Sequence, residues 1–288
     1  MRYRTAFGIS NARRATGDRG RGMVRAINRG FDILQLLSRR GPMGVTDLAR
    51  ALELPKSTVH DLLTTLQHEG AVLRDSERQV FVLGWRLFEL GQRVQEGMEI
   101  RRIARNYISN LSRDLDETVH LTVLDGGEVL YVDCVESTKR LRTYPVIGVR
   151  APLYCTAVGK AIMAHLPDEQ VEQIIDQYGL ARFTDNTITD RGRLFQDLAA
   201  IRERGYSVDD IEHEAGVRCL GAPVRDHAGT VFASISVSGP TMRITPERVE
   251  ELGHQVMTTA DEISAHLGFR EGRRVPASDN SSEVLRVR

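Results

Sequence analysis

Apolar residues recur at helical spacing early in the chain. Val24, Ile27, Phe31, Ile33, Leu34 and Leu37 predict a helix over 23–37, stopped by Gly41-Pro42. A short helix over 46–52 and a third over 56–70 follow, with Pro55 between them and Gly70 as the stop. The pattern then shortens to two β-rich runs, 71–74 and 79–83, joined by the polar turn Asp75-Ser76-Glu77-Arg78. From Trp85 the helical period returns through Leu87, Leu90, Val94, Met98 and Ile103. No glycine-proline break interrupts it, so one rigid connector over 85–108 is expected. Beyond it, strands and helices alternate. Strands are expected at 119–124, 128–135, 140–146, 206–210, 217–224 and 231–237, with turns at Asp125-Gly126-Gly127 and His227-Ala228-Gly229. Helices are expected at 157–165, 168–178, 191–204 and 245–267. The last opens on Thr245 as N-cap with Pro246 at its first position. This is an α+β order, with a helical domain bearing a hairpin ahead of a mixed α/β domain. Its expected divisions are an arm (1–22), a winged helix-turn-helix (23–84), a linker helix (85–100), a ligand domain (101–268) and a tail (269–288).

Length and composition narrow the class. The 288 residues suit about two domains, and 41% hydrophobic content is enough to build cores. No apolar run approaches the roughly 18–20 residues that span a bilayer. The opening residues lack a secretory stretch, so a cytoplasmic protein with no membrane partner is expected. Three cysteines, Cys134, Cys155 and Cys219, without a CxxC pair argue against a disulfide framework and a finger-type zinc site. The net charge of zero hides an asymmetry. Arg2, Arg4, Arg13, Arg14, Arg19, Arg21, Arg25 and Arg29 face only Asp18 in the first thirty residues, and the first hundred carry +5 against −5 in the rest. That is the pattern of a chain whose N-terminal end meets a polyanion.

The window from Val45 to Leu62 carries the most specific chemistry. Ala49 supplies the small residue where two helices cross, and Leu48, Leu52, Leu54, Val59 and Leu62 seal the angle. The helix opened by Pro55 bears short polar groups, Lys56, Ser57, Thr58, His60, Asp61 and Thr64, that suit base edges and phosphates. Thr46 flanks them, and Arg74 and Arg78 on the hairpin form a wing able to touch the backbone. Leu54-Pro55-Lys56-Ser57-Thr58-Val59-His60 resembles the DNA-binding end of IclR-type transcriptional regulators. The resemblance continues through Glu117-Thr118-Val119-His120-Leu121, Leu124-Asp125-Gly126-Gly127-Glu128-Val129, Cys155-Thr156-Ala157-Val158-Gly159-Lys160-Ala161 and Thr187-Ile188-Thr189. It ends with Gly205-Tyr206-Ser207-Val208-Asp209-Asp210, Gly216-Val217-Arg218-Cys219 and Ser236-Val237-Ser238-Gly239-Pro240. It spans about 23–268 in order. It implies a winged helix-turn-helix, a linker helix and a GAF-like ligand domain, assembled as homodimers or dimers of dimers. Two positions depart from the family pattern. Asp61 stands where arginine is common, and either faces the groove or pairs inward with His60 or Arg50. Glu53 stands where a left-handed turn favours glycine, at a cost on the order of 1 kcal/mol.

By the same resemblance Ala157, Val158, Asp209, Cys219, Ser236 and Ser238 fall where the family binds effectors. Two serines two apart on a strand present their hydroxyls to one face. The first turn of the helix at Ala157 offers free N–H groups to an anion. A small organic acid, with a hydroxyl or an aromatic ring, is the effector this chemistry suits, with Tyr144, Tyr154, Met163 and Phe232 as candidate lining. No catalytic residue, metal or cofactor is expected. There is no G-x-S-x-G elbow, no phosphate-cradling G-x-x-x-x-G-K-[ST] and no dinucleotide G-x-G-x-x-G after a strand. Glu212-His213-Glu214, with His120 and Cys155, matches no closed metal site and suits a solvated loop. The expected function is a ligand-responsive repressor of catabolic genes acting on a roughly palindromic double-stranded operator. The other reading is a small-molecule sensor or enzyme with a vestigial winged domain, favoured by Asp61.

Overall fold

The structure is a computed structural model that describes residues 24–144 and 147–270. The expected arm and nearly all of the expected tail lie outside them. The chain divides into two compact units, meeting at Met98/Glu99.

The N-terminal unit runs α1 (Arg25–Arg40), α2 (Val45–Leu52), α3 (Lys56–His68), β1 (Val72–Asp75), β2 (Val80–Leu83) and α4 (Trp85–Glu96). One face of each of the first three helices is apolar, and Ile33, Leu37, Leu48, Val59 and Leu63 close a core with Val72 and Phe81 of the hairpin. Met43 bridges to Phe81 and extends the antiparallel β1–β2 pair by one residue. Glu53 ends α2 in the left-handed region, at φ 54° and ψ 41°, and the Leu54 N–H returns to the Ala49 carbonyl at 3.0 Å. One expectation needs correction in this stretch. The connector over 85–108 is not one helix, because α4 stops at Glu96 and a new helix begins at Glu99. A lone glycine without proline was enough. Gly97 caps α4 through its N–H to the Arg93 carbonyl at 3.2 Å.

The C-terminal unit runs α5 (Glu99–Leu115), β3 (Thr118–Asp125), β4 (Glu128–Val135), β5 (Arg150–Pro152), α6 (Ala157–Met163), α7 (Asp168–Tyr178), α8 (Arg191–Arg204), β6 (Ser207–Asp210), β7 (Val217–Arg225) and β8 (Val231–Pro240). A 3-10 turn (Pro246–Arg248) leads into α9 (Val249–His266). The strands form one six-stranded sheet in the order β5-β4-β3-β8-β7-β6, antiparallel at every neighbour. The fold is α+β. The expected strand at 140–146 is absent over the described residues 140–144. That stretch bends on itself, with Thr138 N–H on Asp116 and Arg142 Nη1 on the Lys139 carbonyl at 3.2 Å, and the edge strand forms later as β5. Thr245 makes no side-chain cap, and its proline opens the 3-10 turn rather than α9 itself.

Register sorts the sheet into two unlike faces, since paired residues share a side. Val119 pairs with Val237 and Leu121 with Ile235, and this apolar face packs against α5 and α9. The opposite face carries Thr118 beside Ser238, His120 beside Ser236 and Thr122 beside Ser234. It continues outward through Cys219 and Gly221 to Asp209 and Ser207. This face is polar yet buried, and α6 lies against it. Behind α6, a second core of Leu153, Ile162, Met163, Val171, Leu194, Leu198 and Ile201 anchors α7 and α8.

Candidate functional site

In the N-terminal unit, Leu48, Ala49, Val59 and Leu63 are consumed by the core, with Leu62 and Leu66 packed against it, so the polar positions of α3 are left to face outward. Lys56, Ser57, His60, Asp61 and Thr64 are exposed, as is Thr46 on α2, and Thr58 is half-buried. The first intrahelical bond of α3 runs from Val59 N–H to the Pro55 carbonyl, 3.1 Å, so the N–H groups of Lys56, Ser57 and Thr58 have no intrahelical acceptor. No acidic residue occupies that first turn. Lys56 pairs with no carboxylate among the described residues. Asp61 does not turn inward. Its carboxylate is 84% exposed and stands 3.9 Å from His60 Nδ1, while Arg50 sits by Asp47 at 3.6 Å instead. On the wing, Arg74 and Arg78 are both exposed. Arg74 donates to Gln79 Oε1 at 2.5 Å, and Arg78 lies 3.9 Å from Asp75.

In the C-terminal unit, Asp209, Cys219, Ser236 and Ser238 share the polar face of the sheet. Asp209 is 4% exposed, and its Oδ1 accepts the N–H groups of Glu212 at 2.7 Å and His213 at 3.3 Å. Burial, with the Glu212 carboxylate nearby, raises its carboxyl to about 7. Burial also holds the Cys219 thiol well above its ordinary value, so it is a polarisable wall rather than a nucleophile. Ala157 and Val158 open α6. Thr156 caps the helix by accepting from Gly159 N–H at 3.1 Å, which leaves the first two N–H groups without an intrahelical acceptor. Gly221 makes this closeness possible, because a Cβ there would stand 2.7 Å from the Ala157 backbone. Of the candidate lining residues, Tyr144 is exposed and Phe232 half-buried. Tyr154 and Met163 belong to the core behind α6, with the Tyr154 hydroxyl on the Ala181 carbonyl at 2.7 Å.

The Glu212-His213-Glu214 loop corrects a sequence expectation. It is not solvated. Glu212 is 5% exposed and salt-bridged to Lys160, which also holds Asp197 at 2.7 Å. Thr187 Oγ1 donates to the Glu212 carbonyl at 2.6 Å, which gives the Thr187-Ile188-Thr189 motif a structural task. His213 packs on Phe183 with ring centroids 5.0 Å apart, and burial lowers its pKa to about 4. Among the described residues, no group of three His, Cys, Asp or Glu side chains is placed to hold a metal ion.

Two clefts of about 400 and 370 Å³ lie off the polar face. The first is lined by Lys160, Asp197, Arg204, Glu212 and Arg218, the second by 185–190 and Arg193. The first is a trough between paired charges, and neither includes any of the expected effector residues. The polar face, where His120 Nε2 is buried without a hydrogen bond, is the better candidate, because buried polar atoms need partners.

Comparison with known proteins gives one family for both units. Residues 92–265 match the family described as bacterial transcriptional regulator IclR C-terminal, and residues 26–76 match the IclR helix-turn-helix domain. The HTH-type transcriptional regulator KdgR of Escherichia coli (strain K12) is 37% identical over 248 residues, covering 86% of this chain and 94% of its own. The transcriptional repressor IclR of the same strain is 36% identical over 250 residues, 86% of this chain and 91% of its own. The solved structure of Thermotoga maritima IclR is 34% identical with a TM-score of 0.69, over 84% of this chain and 98% of that one. With its winged domain and its sheet domain each matched to the same regulators, the chain belongs to the IclR family of bacterial transcriptional regulators, which bind DNA through the first domain and an effector through the second.

Proposed function

We propose that this regulator represses catabolic genes from a roughly palindromic operator and answers to a small organic acid bearing a hydroxyl or an aromatic ring. The observation that carries the DNA half is the outward face of α3. Short polar side chains, an unpaired Lys56 and open backbone N–H groups lie together on it, with no acid in the first turn to repel phosphate. Lys56, Ser57 and the wing arginines Arg74 and Arg78 contact phosphate in this reading. Thr46, Thr58, His60, Asp61 and Thr64 face base edges, with Asp61 able to accept from a cytosine amino group.

The effector occupies the polar face at Ser236 and Ser238, with Ala157 and Val158 N–H groups on one side and Asp209 and Cys219 on the other. Two copies act together. Val24 at the head of α1, Ile27 and Phe31 on it, and Trp85, Phe88, Leu90 and Val94 on α4 are each more than half exposed, an apolar burden suited to burial against a second copy. A dimer, or a dimer of dimers, then sets half-sites about one helical turn or a multiple apart. Residues 85–100 act as the linker through which ligand shifts the balance between binding and non-binding arrangements. The protein works in the cytoplasm, and no helix among the described residues is long and apolar enough to cross a membrane.

Fluorescence anisotropy against the DNA upstream of the protein's own gene and its neighbour, beside scrambled DNA across a salt series, tests the reading. Preference for the upstream DNA that survives near-physiological salt is expected. Equal binding to both, lost as salt rises, would reduce the interaction to charge alone and return the vestigial-domain reading.

A further inference from the structure

The helix α6 covers only part of the polar face. Ser207 Oγ donates to the Ala157 carbonyl at 2.6 Å and Ser234 Oγ to the Val158 carbonyl at 2.9 Å, which pins the helix over β6, β7 and the Ser234 end of β8. His120 on β3 is the next large polar group across that face. It is the register partner of Ser236 on one side and of Cys134 on the other. It is 4% exposed, its Nδ1 lies 3.3 Å from Ser238 Oγ, and its ring stands edge-on to Tyr131 at 5.3 Å and 81°. Nε2 is fully buried and makes no hydrogen bond of good geometry. Only the Tyr144 backbone lies near enough to favour a ring proton. Burial lowers the ring's pKa to about 4, so at neutral pH it offers one donor and one acceptor and no charge. Ser238 occupies one of these. The other has only the Tyr144 backbone near it, short of a hydrogen bond of good geometry, an arrangement that folded proteins usually complete with a ligand or water.

We propose that His120 is a further effector ligand, its Nε2 hydrogen-bonding an effector oxygen other than the one held by Ser236 and Ser238. The pocket therefore selects small acids that carry a second oxygen function, a hydroxyl or keto group, over their unsubstituted counterparts. The inference rests on the assignment of the Ser236–Ser238 face as the effector pocket. A ligand lacking the second oxygen leaves Nε2 buried and unpaired, and losses of this kind run to about tenfold to a hundredfold in affinity. Because the ring is neutral, the preference is a matter of hydrogen bonding rather than of charge on His120.

The test is calorimetry on the full chain with matched acids: butyrate against 2-hydroxybutyrate and 2-oxobutyrate, and benzoate against 4-hydroxybenzoate. The wild type is expected to favour the oxygenated member of at least one set by about tenfold. His120→Leu should erase that preference while keeping affinity for the plain acid and for operator DNA, and His120→Gln should keep part of it. If His120→Leu does not fold, a severalfold loss of preference in His120→Gln carries the result instead. An unchanged preference in the folded variants overturns the role of His120, and binding of none of these acids overturns the ligand class. Ser236→Ala and Ser238→Ala separate this from the reading beneath it. They should weaken both members of each set, and if they weaken neither while His120→Leu abolishes the preference, the pocket assignment fails on its own.

Discussion

Single residues here hold backbone and charge states that their types do not favour in isolation. Glu53 is one. It sits at φ 54° with its side chain exposed, where a residue with a Cβ pays on the order of 1 kcal/mol relative to glycine. Glu53→Gly should therefore raise the stability of the winged unit by up to about 1 kcal/mol, a shift of roughly 4–8 °C in its midpoint by calorimetry. The left-handed turn was legible from the family pattern, and the structure places it at that position. Asp209 and three histidines, His120 buried and His165 and His213 half-buried, pull in opposite directions with pH. His120, His165 and His213 are lowered to about 4 by burial, so the stability they contribute is present above about pH 6.5 and lost as pH falls towards 4. Asp209 is raised to about 7, so its contribution is full below about pH 4 and fades as pH rises to 7. Beside burial, the Glu212 carboxylate raises this value and the Lys160 ammonium opposes it, while the nearby Cys155, Cys219 and Tyr131 stay protonated and neutral. The histidines outnumber it, and the protein should lose stability on acidification from 6.5 to 4. Asp209→Asn removes the offset and should steepen that loss in a pH series of denaturant melts. None of these shifts was legible in the chain, because burial depends on neighbours such as Lys160 and Glu212 that lie 52 residues apart.

Elements were legible where period and punctuation agreed, and less so where they depended on pairing. The helix-turn-helix and the hairpin follow from apolar spacing, Pro55 and Gly70. The edge strand β5, only Arg150–Pro152, has too few residues to show a period, and its existence rests on β4. The break between α4 and α5 needed only Gly97, a weaker signal than the one sought. Within α3 the two proposed kinds of contact separate experimentally. Lys56→Ala should weaken DNA binding on any sequence and lower the salt slope by about one per protomer. Changes at Thr58 or Asp61 should alter the sequences recovered in a binding-site selection, and an unchanged preference would remove both from base reading. In the sheet, Gly221→Ala places a methyl 2.7 Å from the Ala157 backbone, which must push α6 off the face. A destabilisation of about 1–3 kcal/mol is expected, together with weaker effector binding, by thermal melts and calorimetry.

At the scale of the whole molecule, uneven charge and exposed apolar stripes were visible in the sequence as composition, but only the fold shows which residues are left over once the cores are filled. Phe31 and Phe88 are both 61% exposed, and neither is needed for packing within its protomer. Phe31→Glu with Phe88→Glu should leave the circular dichroism spectrum intact, lower the mass seen by sedimentation and weaken operator binding together. A smaller particle with undiminished operator affinity would mean that one copy suffices. The buried ion network has a practical consequence at the same scale. The chain holds only three lysines, Lys56, Lys139 and Lys160. Lys160 is enclosed between Asp197 and Glu212, and Lys139 is 36% exposed and paired with Glu117. Side-chain amine chemistry is thereby funnelled onto Lys56, at the head of the recognition helix. Ester-activated dyes and sensor chips that couple through lysine will consequently mask the surface they are meant to report on, and a protein tethered in that way should look blind to its operator while folding and answering to its effector as before.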